Sequence, residues 1–307
     1  MENKVLDNLK NKNISQSSLN LYMTNLKRLN DGNEIKNFAF LRNVNNILDK
    51  IKEYKPNTRR TYLISIVSLL KQEPKLHTLY DKYYKLLMEY NKQLKTNNEK
   101  SEKQTENWIT QNEVLEKQKQ LMEVIPTLKK KITNAQYYQL LDLVILSLYT
   151  LQPPRRNLDY LKMNVINKFN EELSKDNNYL EYSTQSFIFR NFKTKKTYQD
   201  QIVKISDELF NIIKIYLSYH PLKKEMKKNY NVPFLVSIDG DEFKNSNEIT
   251  RVLNKIFNKK IGSSMLRNIY LTSKYSNNLK DLNLDAQEMG TSANTIQNQY
   301  IKLDDVV

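Results

Sequence analysis

A polar, charged stretch divides this sequence into two parts and limits the folds that are open to it. Between Asn91 and Thr110, no apolar residue recurs at helical or strand spacing until Trp108. Such a composition favours a solvated connection over a packed element. We therefore expect residues 1–100 to form one domain, residues 101–110 a linker, and residues 111–307 a second domain, with an approximate boundary near residue 105.

The part before this stretch has the apolar periodicity of helices. Ser15 is a suitable cap for the first predicted helix, and Gly32 follows its end. Asn57 or Thr58 is expected to cap the third. The four predicted helices are marked by apolar residues over 19–29, 40–51, 62–70 and 79–90.

The second part mixes strand-like and helical patterns. Strand-like runs occupy residues 179–182, 187–192 and 201–205. We therefore expect a mainly α chain, with a helical N-terminal domain and an α+β domain that has a small antiparallel sheet. The helices predicted in this part lie around residues 114–128, 135–151, 208–219, 247–257, 264–274 and 279–289.

The charge balance indicates a polyanionic partner. The chain has 49 Lys and Arg residues against 34 Asp and Glu residues, which gives a formal net charge of +15 and a pI near 9.5. The basic residues are spread along the sequence and interleaved with tyrosines, as in residues 82–85. This distribution favours a folded basic surface over a disordered basic arm.

Composition also excludes several classes of site. The absence of cysteine rules out disulfides and thiolate metal sites, and the two histidines, His77 and His220, have no metal-ligand spacing around them. We expect no metal and no cofactor. The longest apolar stretch, residues 140–149, is too short to span a bilayer, and no basic-then-apolar leader opens the sequence. We therefore expect a protein that stays inside its cell and has no membrane partner.

Four short elements of the second part supply two arginines, a lysine and a tyrosine. Phosphoryl transfer spreads negative charge over oxygens, which fixed cations and hydrogen-bond donors stabilise. Arginine binds phosphate through two nitrogens, and a tyrosine becomes a nucleophile when its phenolate is stabilised. In chain order the elements are Pro-Pro-Arg-Arg-Asn-Leu-Asp at 153–159, Lys-Thr at 193–194, Ser-Met-Leu-Arg at 264–267, and Met-Gly-Thr-Ser at 289–292 ahead of Tyr300.

Together these elements resemble the tyrosine recombinase (phage integrase) family across roughly residues 15 to 300. In the family, an acidic residue follows the first arginine by three positions, which Arg156 and Asp159 match, so Arg156 is preferred over Arg155. The family's second element is a lysine in a β-hairpin. Lys193 fits it after the strand-like run, and residues 195 and 196 are close competitors.

The third and fourth elements keep the family's arginine and tyrosine but lack its histidines. The third usually reads His-x-x-Arg, and here Ser264 precedes Arg267. The fourth usually reads Leu-Gly-His-Ser with the tyrosine nine residues after the histidine, an interval that Thr291 and Tyr300 keep. Thr291 can donate a hydrogen bond but cannot act as a general base near neutral pH, a loss of about 10²–10⁴ in rate.

The resemblance implies a DNA strand-transferase that needs neither metal nor ATP. Tyr300 would attack a phosphate of double-stranded DNA, giving a 3′-phosphotyrosyl link and a free 5′ hydroxyl. Lys193 would act as the general acid for that leaving group, and Ser264 would replace only a hydrogen-bond donor. It further implies a SAM-like core-binding domain at the N-terminus, a catalytic domain like those of tyrosine recombinases and type IB topoisomerases, and a homotetramer on two DNA sites.

Three other interpretations remain open. A type IB topoisomerase would use the same chemistry as a monomer and relax DNA. A catalytically impaired DNA-binding protein of the same fold would account for Ser264 and Thr291 in place of histidines. An unrelated basic helical scaffold without a DNA function is the third. The recombinase interpretation implies a place in the cytoplasm or nucleus according to the host, and fits a viral or mobile-element gene.

Overall fold

The computed structural model of the chain describes residues 14–71, 73–94, 100–228 and 230–289, together with Ala293 and Gln297. Backbone contacts group the chain into two compact units, Met1–Glu99 and Lys100–Val307. The described part is mostly helical, with a small sheet in the second unit. Among the described helices, none combines the length and the apolar character needed to cross a bilayer.

Helices form the described part of the first unit, as its apolar periodicity predicts. Ser15 caps the first helix, because its hydroxyl oxygen accepts a hydrogen bond from the backbone N–H of Ser18 at 3.2 Å. Short 3₁₀ turns at Ala39–Leu41 and Pro74–Leu76 come before the second and fourth helices. The helices are α1 (Gln16–Leu29), α2 (Val44–Ile51), α3 (Pro56–Leu70) and α4 (His77–Gln93).

The start of α3 differs from the sequence prediction. Lys55 occupies the N-cap position and Pro56 is the first helical residue, so Asn57 and Thr58 lie inside the helix. Proline suits this position because its φ is already helical and a first-turn N–H has no partner within the helix. The cap predicted at Asn57 or Thr58 is therefore wrong.

The core of the first unit joins all four of its helices. Leu26, Ile47, Leu63 and Ile66 are fully buried in it. Tyr83 of α4 is also fully buried, and its hydroxyl donates a hydrogen bond to the carbonyl oxygen of Leu41 at 2.8 Å. This bond satisfies the polar end of an aromatic side chain that otherwise contributes apolar surface to the core.

The second unit combines helices with a five-stranded sheet. A 3₁₀ turn at Ile125–Thr127 follows its second helix. The helices are α5 (Glu102–Asn107), α6 (Gln111–Met122), α7 (Asn134–Thr150), α8 (Asn157–Leu161), α9 (Lys195–Tyr198), α10 (Asp207–Ser218), α11 (Lys223–Lys228), α12 (Ser246–Phe257) and α13 (Ser263–Glu288), and the strands are β1 (Met163–Ile166), β2 (Asn178–Glu181), β3 (Ser186–Phe189), β4 (Gln201–Lys204) and β5 (Asn231–Pro233).

Residues 101–110, which we expected to be a linker, are folded onto the second unit. Ser101 and Gln104 form a capping box that starts α5. Asn107 and Ile109 are buried, and the backbone N–H of Lys260 donates a hydrogen bond to the Asn107 side-chain oxygen at 2.9 Å. The polar residues that indicated a linker therefore serve as helix caps and buried hydrogen-bond partners.

Helix α7 is the centre of the second core. Its residues from Leu140 to Tyr149 are all buried, and α6, α10, α12 and α13 pack against it. A helix that is apolar on all sides belongs in the interior of a domain. The long apolar run in the sequence is thus explained by burial on every face.

The sheet is mixed, which corrects the antiparallel sheet that we predicted. Its strand order is β4-β3-β2-β1-β5, and β1 pairs with β2 in parallel while the other neighbours are antiparallel. Residues 167–177 return the chain to the start of β1, so that β2 runs in the same direction. The antiparallel pairs include the predicted β3–β4 hairpin.

The last described helix also differs from the prediction. Instead of two helices over residues 264–274 and 279–289, α13 runs without a break from Ser263 to Glu288. Residues 275–278 read Tyr-Ser-Asn-Asn and interrupt the apolar pattern, but they contain neither proline nor glycine. A polar interruption alone does not end a helix whose backbone can continue.

Candidate active site

Residues 153–159, which we call the arginine turn, connect the end of α7 to α8. Arg156 is the N-cap residue of α8 and is half-buried. Its carbonyl oxygen accepts a hydrogen bond from the backbone N–H of Asp159 at 2.9 Å. Among the described residues, its guanidinium forms no hydrogen bond or ion pair. Arg156 is therefore held at its backbone while its side chain keeps its donors for a ligand.

Asn157 fixes the arginine turn to α12. It is buried, and its side-chain oxygen accepts a hydrogen bond from the Tyr149 hydroxyl at 2.7 Å. Its amide nitrogen donates to the carbonyl oxygen of Ser246 at 3.0 Å and to the hydroxyl of Thr250 at 2.9 Å. A buried amide with all these partners sets the position of its backbone, and so of the adjacent Arg156.

Thr250 also lies against the start of α13, the helix of the third predicted element. Gly262 is the N-cap residue of α13, and a Cβ atom there would lie 3.4 Å from the Thr250 methyl carbon. Ser264 and Arg267 follow in the first turns of that helix, where Ser264 is exposed and Arg267 is half-buried. The two predicted arginine elements therefore begin on either side of one threonine.

Arg155 joins the arginine turn to the hairpin. Its guanidinium carbon lies 3.7 Å from the centre of the Phe189 ring at the end of β3 and 5.2 Å from that of Phe192. It donates a hydrogen bond to the side-chain oxygen of Gln201 at the start of β4, at 3.0 Å. Lys193 follows Phe192 directly and is exposed. The structure thus brings the segment of the predicted lysine to the arginine turn.

Asp159 pairs with Arg155 and not with Arg156, the arginine for which the spacing had suggested it. Its Oδ2 atom accepts a hydrogen bond from Arg155 Nε at 3.0 Å. Burial raises the pKa of the Asp159 carboxyl, and the Arg155 guanidinium opposes that rise. The second carboxylate oxygen, Oδ1, is buried without a hydrogen-bond partner among the described residues. This carboxylate therefore depends on Arg155 for its compensation.

Asn178 ties α8 to the end of β3. Its amide nitrogen donates to the carbonyl oxygens of Asp159 at 2.7 Å and Asn191 at 2.9 Å. Its side-chain oxygen accepts from the backbone N–H groups of Arg190 and Asn191, both at 2.8 Å. The residues that lead to Lys193 are therefore fixed relative to the arginine turn.

Thr291 and Tyr300 lie outside the described residues. The described backbone includes the end of α13 and Met289, immediately before the fourth predicted element. The positions of the proposed nucleophile and of Thr291 therefore stay predictions from the sequence. Three of the four elements can be compared with the structure, and contacts around Thr250 and Arg155 connect all three.

The first unit has an open groove beside the start of α2 and the middle of α4. Its volume is about 750 Å³, and we call it the basic groove because Arg42, Lys82 and Lys85 line it together with residues 43–45 and Leu86. The three cations are exposed. None of them forms a hydrogen bond or an ion pair with the described residues. The groove therefore presents uncompensated positive charge.

No family model and no curated protein matches this chain. Among solved structures, the crystal structure of XerA recombinase aligns with 99% of this chain and 95% of its own, at 15% sequence identity and a TM-score of 0.34. A TM-score this low does not establish a shared fold.

Sequence reasoning missed the polar residues that organise this site. Asn157 was part of a quoted motif, but its spacing suggested no partner. Asn178 stands at the start of a strand and Thr250 in the middle of a helix, where each reads as an ordinary surface residue. The usable signal was the polarity of Asn157 beside the apolar α7, since a polar residue next to a core element often satisfies it.

Proposed function

We propose that this chain is a site-specific tyrosine recombinase that cuts and rejoins double-stranded DNA without a metal ion or ATP. The observation that carries the proposal is the meeting of three predicted elements. Arg156 and the start of α13 lie on either side of Thr250, and the residue before Lys193 packs under Arg155. The fourth element, with Tyr300, enters from the order of motifs along the sequence.

In the proposed reaction, the phenolic oxygen of Tyr300 bonds to a DNA phosphorus while the bond from that phosphorus to the 5′ oxygen breaks. The tyrosine loses its proton, and the 5′ oxygen gains one from Lys193. Arg156 and Arg267 stabilise the negative charge of the transition state. The reverse attack by a 5′ hydroxyl of a partner strand releases Tyr300, so that the number of phosphodiester bonds is unchanged.

Ser264 and Thr291 would complete the phosphate-binding site as hydrogen-bond donors. Neither can exchange a proton near neutral pH. Lys193 would then be the main proton donor. Asn157, Thr250 and Asn178 would hold the site without touching the DNA.

The binding of duplex DNA is proposed from charge. The net charge of +15 and the basic groove of the first unit favour phosphate contacts over base recognition as the main source of affinity. In this proposal, residues 1–100 form a core-binding domain and residues 111–307 a catalytic domain. Four copies would assemble on two DNA sites to exchange strands, whereas a topoisomerase would act as a monomer.

A catalytically impaired DNA-binding protein is the second candidate. It is favoured by one observation, that both family histidines are replaced, by Ser264 and by Thr291. Such a protein would keep the basic surface and the cations of the site. It would bind DNA without forming a covalent bond to it.

A covalent-adduct assay distinguishes these candidates. Nicked suicide duplexes tiled across the DNA that flanks its own gene are incubated with the protein and separated under denaturing conditions. We expect a protein–DNA band that resists denaturant and disappears after protease treatment. Tight binding without any such band would favour the impaired DNA-binding protein and contradict the recombinase proposal.

A further inference from the structure

Arg155 is set apart from the other basic residues of the site by its contacts. Its side chain is 20% exposed, and it bonds to Asp159 on its own turn and to Gln201 on β4. The flat face of the guanidinium covers the Phe189 ring. Arginine can hold such a position because its planar group stacks and donates in fixed directions at once. Arg155 is thus bound to both strands of the hairpin.

The hairpin residues beyond Phe192 are held from the other side as well. Asp200 accepts a hydrogen bond from Arg190 at 3.0 Å and forms an ion pair with Lys195 at 2.9 Å. Only Lys193 and Thr194 separate Phe192 from Lys195. The backbone of Lys193 therefore lies between two anchored neighbours, while its side chain is exposed.

We propose that Arg155 is a positioning residue that fixes Lys193 relative to Arg156, and so controls proton delivery to the 5′ oxygen that leaves. The inference rests on the proposed function. Arg155 would not bind the scissile phosphate, because its donors and its flat face are engaged by Asp159, Gln201 and the Phe189 ring. Its effect would be specific to the step in which Lys193 donates a proton.

Two variants separate this effect from a loss of folding. Arg155→Lys keeps a positive charge near the buried Asp159 carboxylate but cannot stack on Phe189 and reach Gln201 at once. Gln201→Ala removes only the contact with β4 and leaves the pair of Arg155 and Asp159 intact. Thermal melting of both variants should stay close to that of the wild type, which shows that the fold is retained.

The test compares two suicide duplexes that differ in one atom at the scissile phosphate. One has the normal 5′ oxygen, and the other has a 5′ sulfur, which leaves as a thiolate and needs no proton because thiols are much stronger acids than alcohols. Lys193→Ala should slow single-turnover cleavage of the oxygen substrate by about 10²–10⁴. It should cleave the sulfur substrate nearly as fast as the wild type.

Arg155→Lys and Gln201→Ala should show the same pattern to a smaller extent. We expect cleavage of the oxygen substrate to slow by up to about 10²-fold, the size of a misplacement effect, and cleavage of the sulfur substrate to stay near the wild-type rate. In the double variant of Arg155→Lys and Lys193→Ala, the oxygen substrate should be cleaved no more slowly than by Lys193→Ala alone.

Other outcomes overturn the inference. Equal slowing of both substrates would assign Arg155 to phosphate binding or to general structure, and unchanged rates would show that it does not position Lys193. Additive losses in the double variant would show that the two residues act independently. If the wild type cleaves neither substrate, the proposed function fails too, whereas wild-type cleavage with any of the preceding results overturns this inference alone.

Discussion

The arginine turn of the second unit and the basic groove of the first unit both present cations, but they hold them in different ways. In the turn, Arg155, Asn157 and Asp159 are bound through buried hydrogen bonds and an ion pair. In the groove, Arg42 and Lys82 are exposed and have no such partner among the described residues. Preorganised charge accelerates chemistry, while exposed flexible charge contributes mainly to affinity. We therefore assign catalysis to the turn and much of the DNA binding to the groove.

The largest expected effect separates these two roles in the second unit. Arg156→Ala or Arg267→Ala should slow single-turnover cleavage by about 10³ or more, because each removes a cation from the transition state. Duplex DNA affinity, measured by fluorescence anisotropy, should change little. A loss of cleavage that only follows a loss of affinity would show that these arginines serve binding and would remove the contrast with the groove.

The next effect should appear in the first unit. Replacing Arg42, Lys82 and Lys85 together with Gln should lower the slope of log affinity against log salt by about 3 × 0.9, and weaken duplex binding by about 10² at 0.15 M salt. The control replaces three other exposed lysines of this unit, Lys36, Lys71 and Lys75, with Gln.

Both triple variants lose the same net charge, so the comparison isolates position from charge. We expect the groove variant to lose clearly more affinity than the control, and both to cleave bound suicide DNA at the wild-type rate. Equal losses would show that the groove is not a specific contact surface.

A smaller effect should test the hydrogen bonds that hold the turn. Asn157→Ala leaves the buried Tyr149 hydroxyl and groups on α12 without their partner, which should reduce the unfolding free energy by about 1–3 kcal/mol. Urea unfolding followed by circular dichroism measures the change. Asn247→Ala at an exposed site of the same α12 should stay within about 0.5 kcal/mol of wild type. A similar result for both would mean that the turn is not held by Asn157.

The smallest effect concerns pH and the buried His220. Burial lowers its pKa to about 4, while its Nδ1 atom accepts a hydrogen bond from the backbone N–H of Leu222 at 3.2 Å. The folded pKa lies below the unfolded one, so this stability is present above about pH 6.5 and is lost as the pH falls towards 4. Between pH 7 and pH 5 the unfolding free energy should fall by about 1–2 kcal/mol from this group.

His220→Gln should reduce that pH dependence, even if it lowers stability at neutral pH. Urea unfolding at several pH values between 7 and 5 provides the measurement. A pH dependence identical to that of the wild type would mean that His220 does not titrate in this way.

The sequence predicted those parts of the fold that repeat over many residues. Periodic apolar positions located α1, α4 and α7, because each helix buries one or more faces over several turns. The strands β1 and β5 are too short to show a pattern of their own. The parallel pairing of β1 with β2 depends on the path of the chain between them, so the mixed sheet could not be predicted from local residues.

The candidate site follows the same rule. Motif order identified Arg156, Lys193, Ser264 and Arg267, whose roles stay predictions. Their supporting contacts were not predictable, since Asn157 meets Thr250 across 93 residues of sequence. Such a pair is recognisable only when the fold brings it together.

The identity of the nucleophile tests the central claim most directly. Wild type, Tyr300→Phe, and the control variants Tyr270→Phe and Tyr275→Phe of α13 are incubated with the same suicide duplex and separated under denaturing conditions. We predict covalent complex with the wild type and both controls, and none with Tyr300→Phe, although all four proteins bind the duplex equally well. Covalent complex formed by Tyr300→Phe would contradict the account.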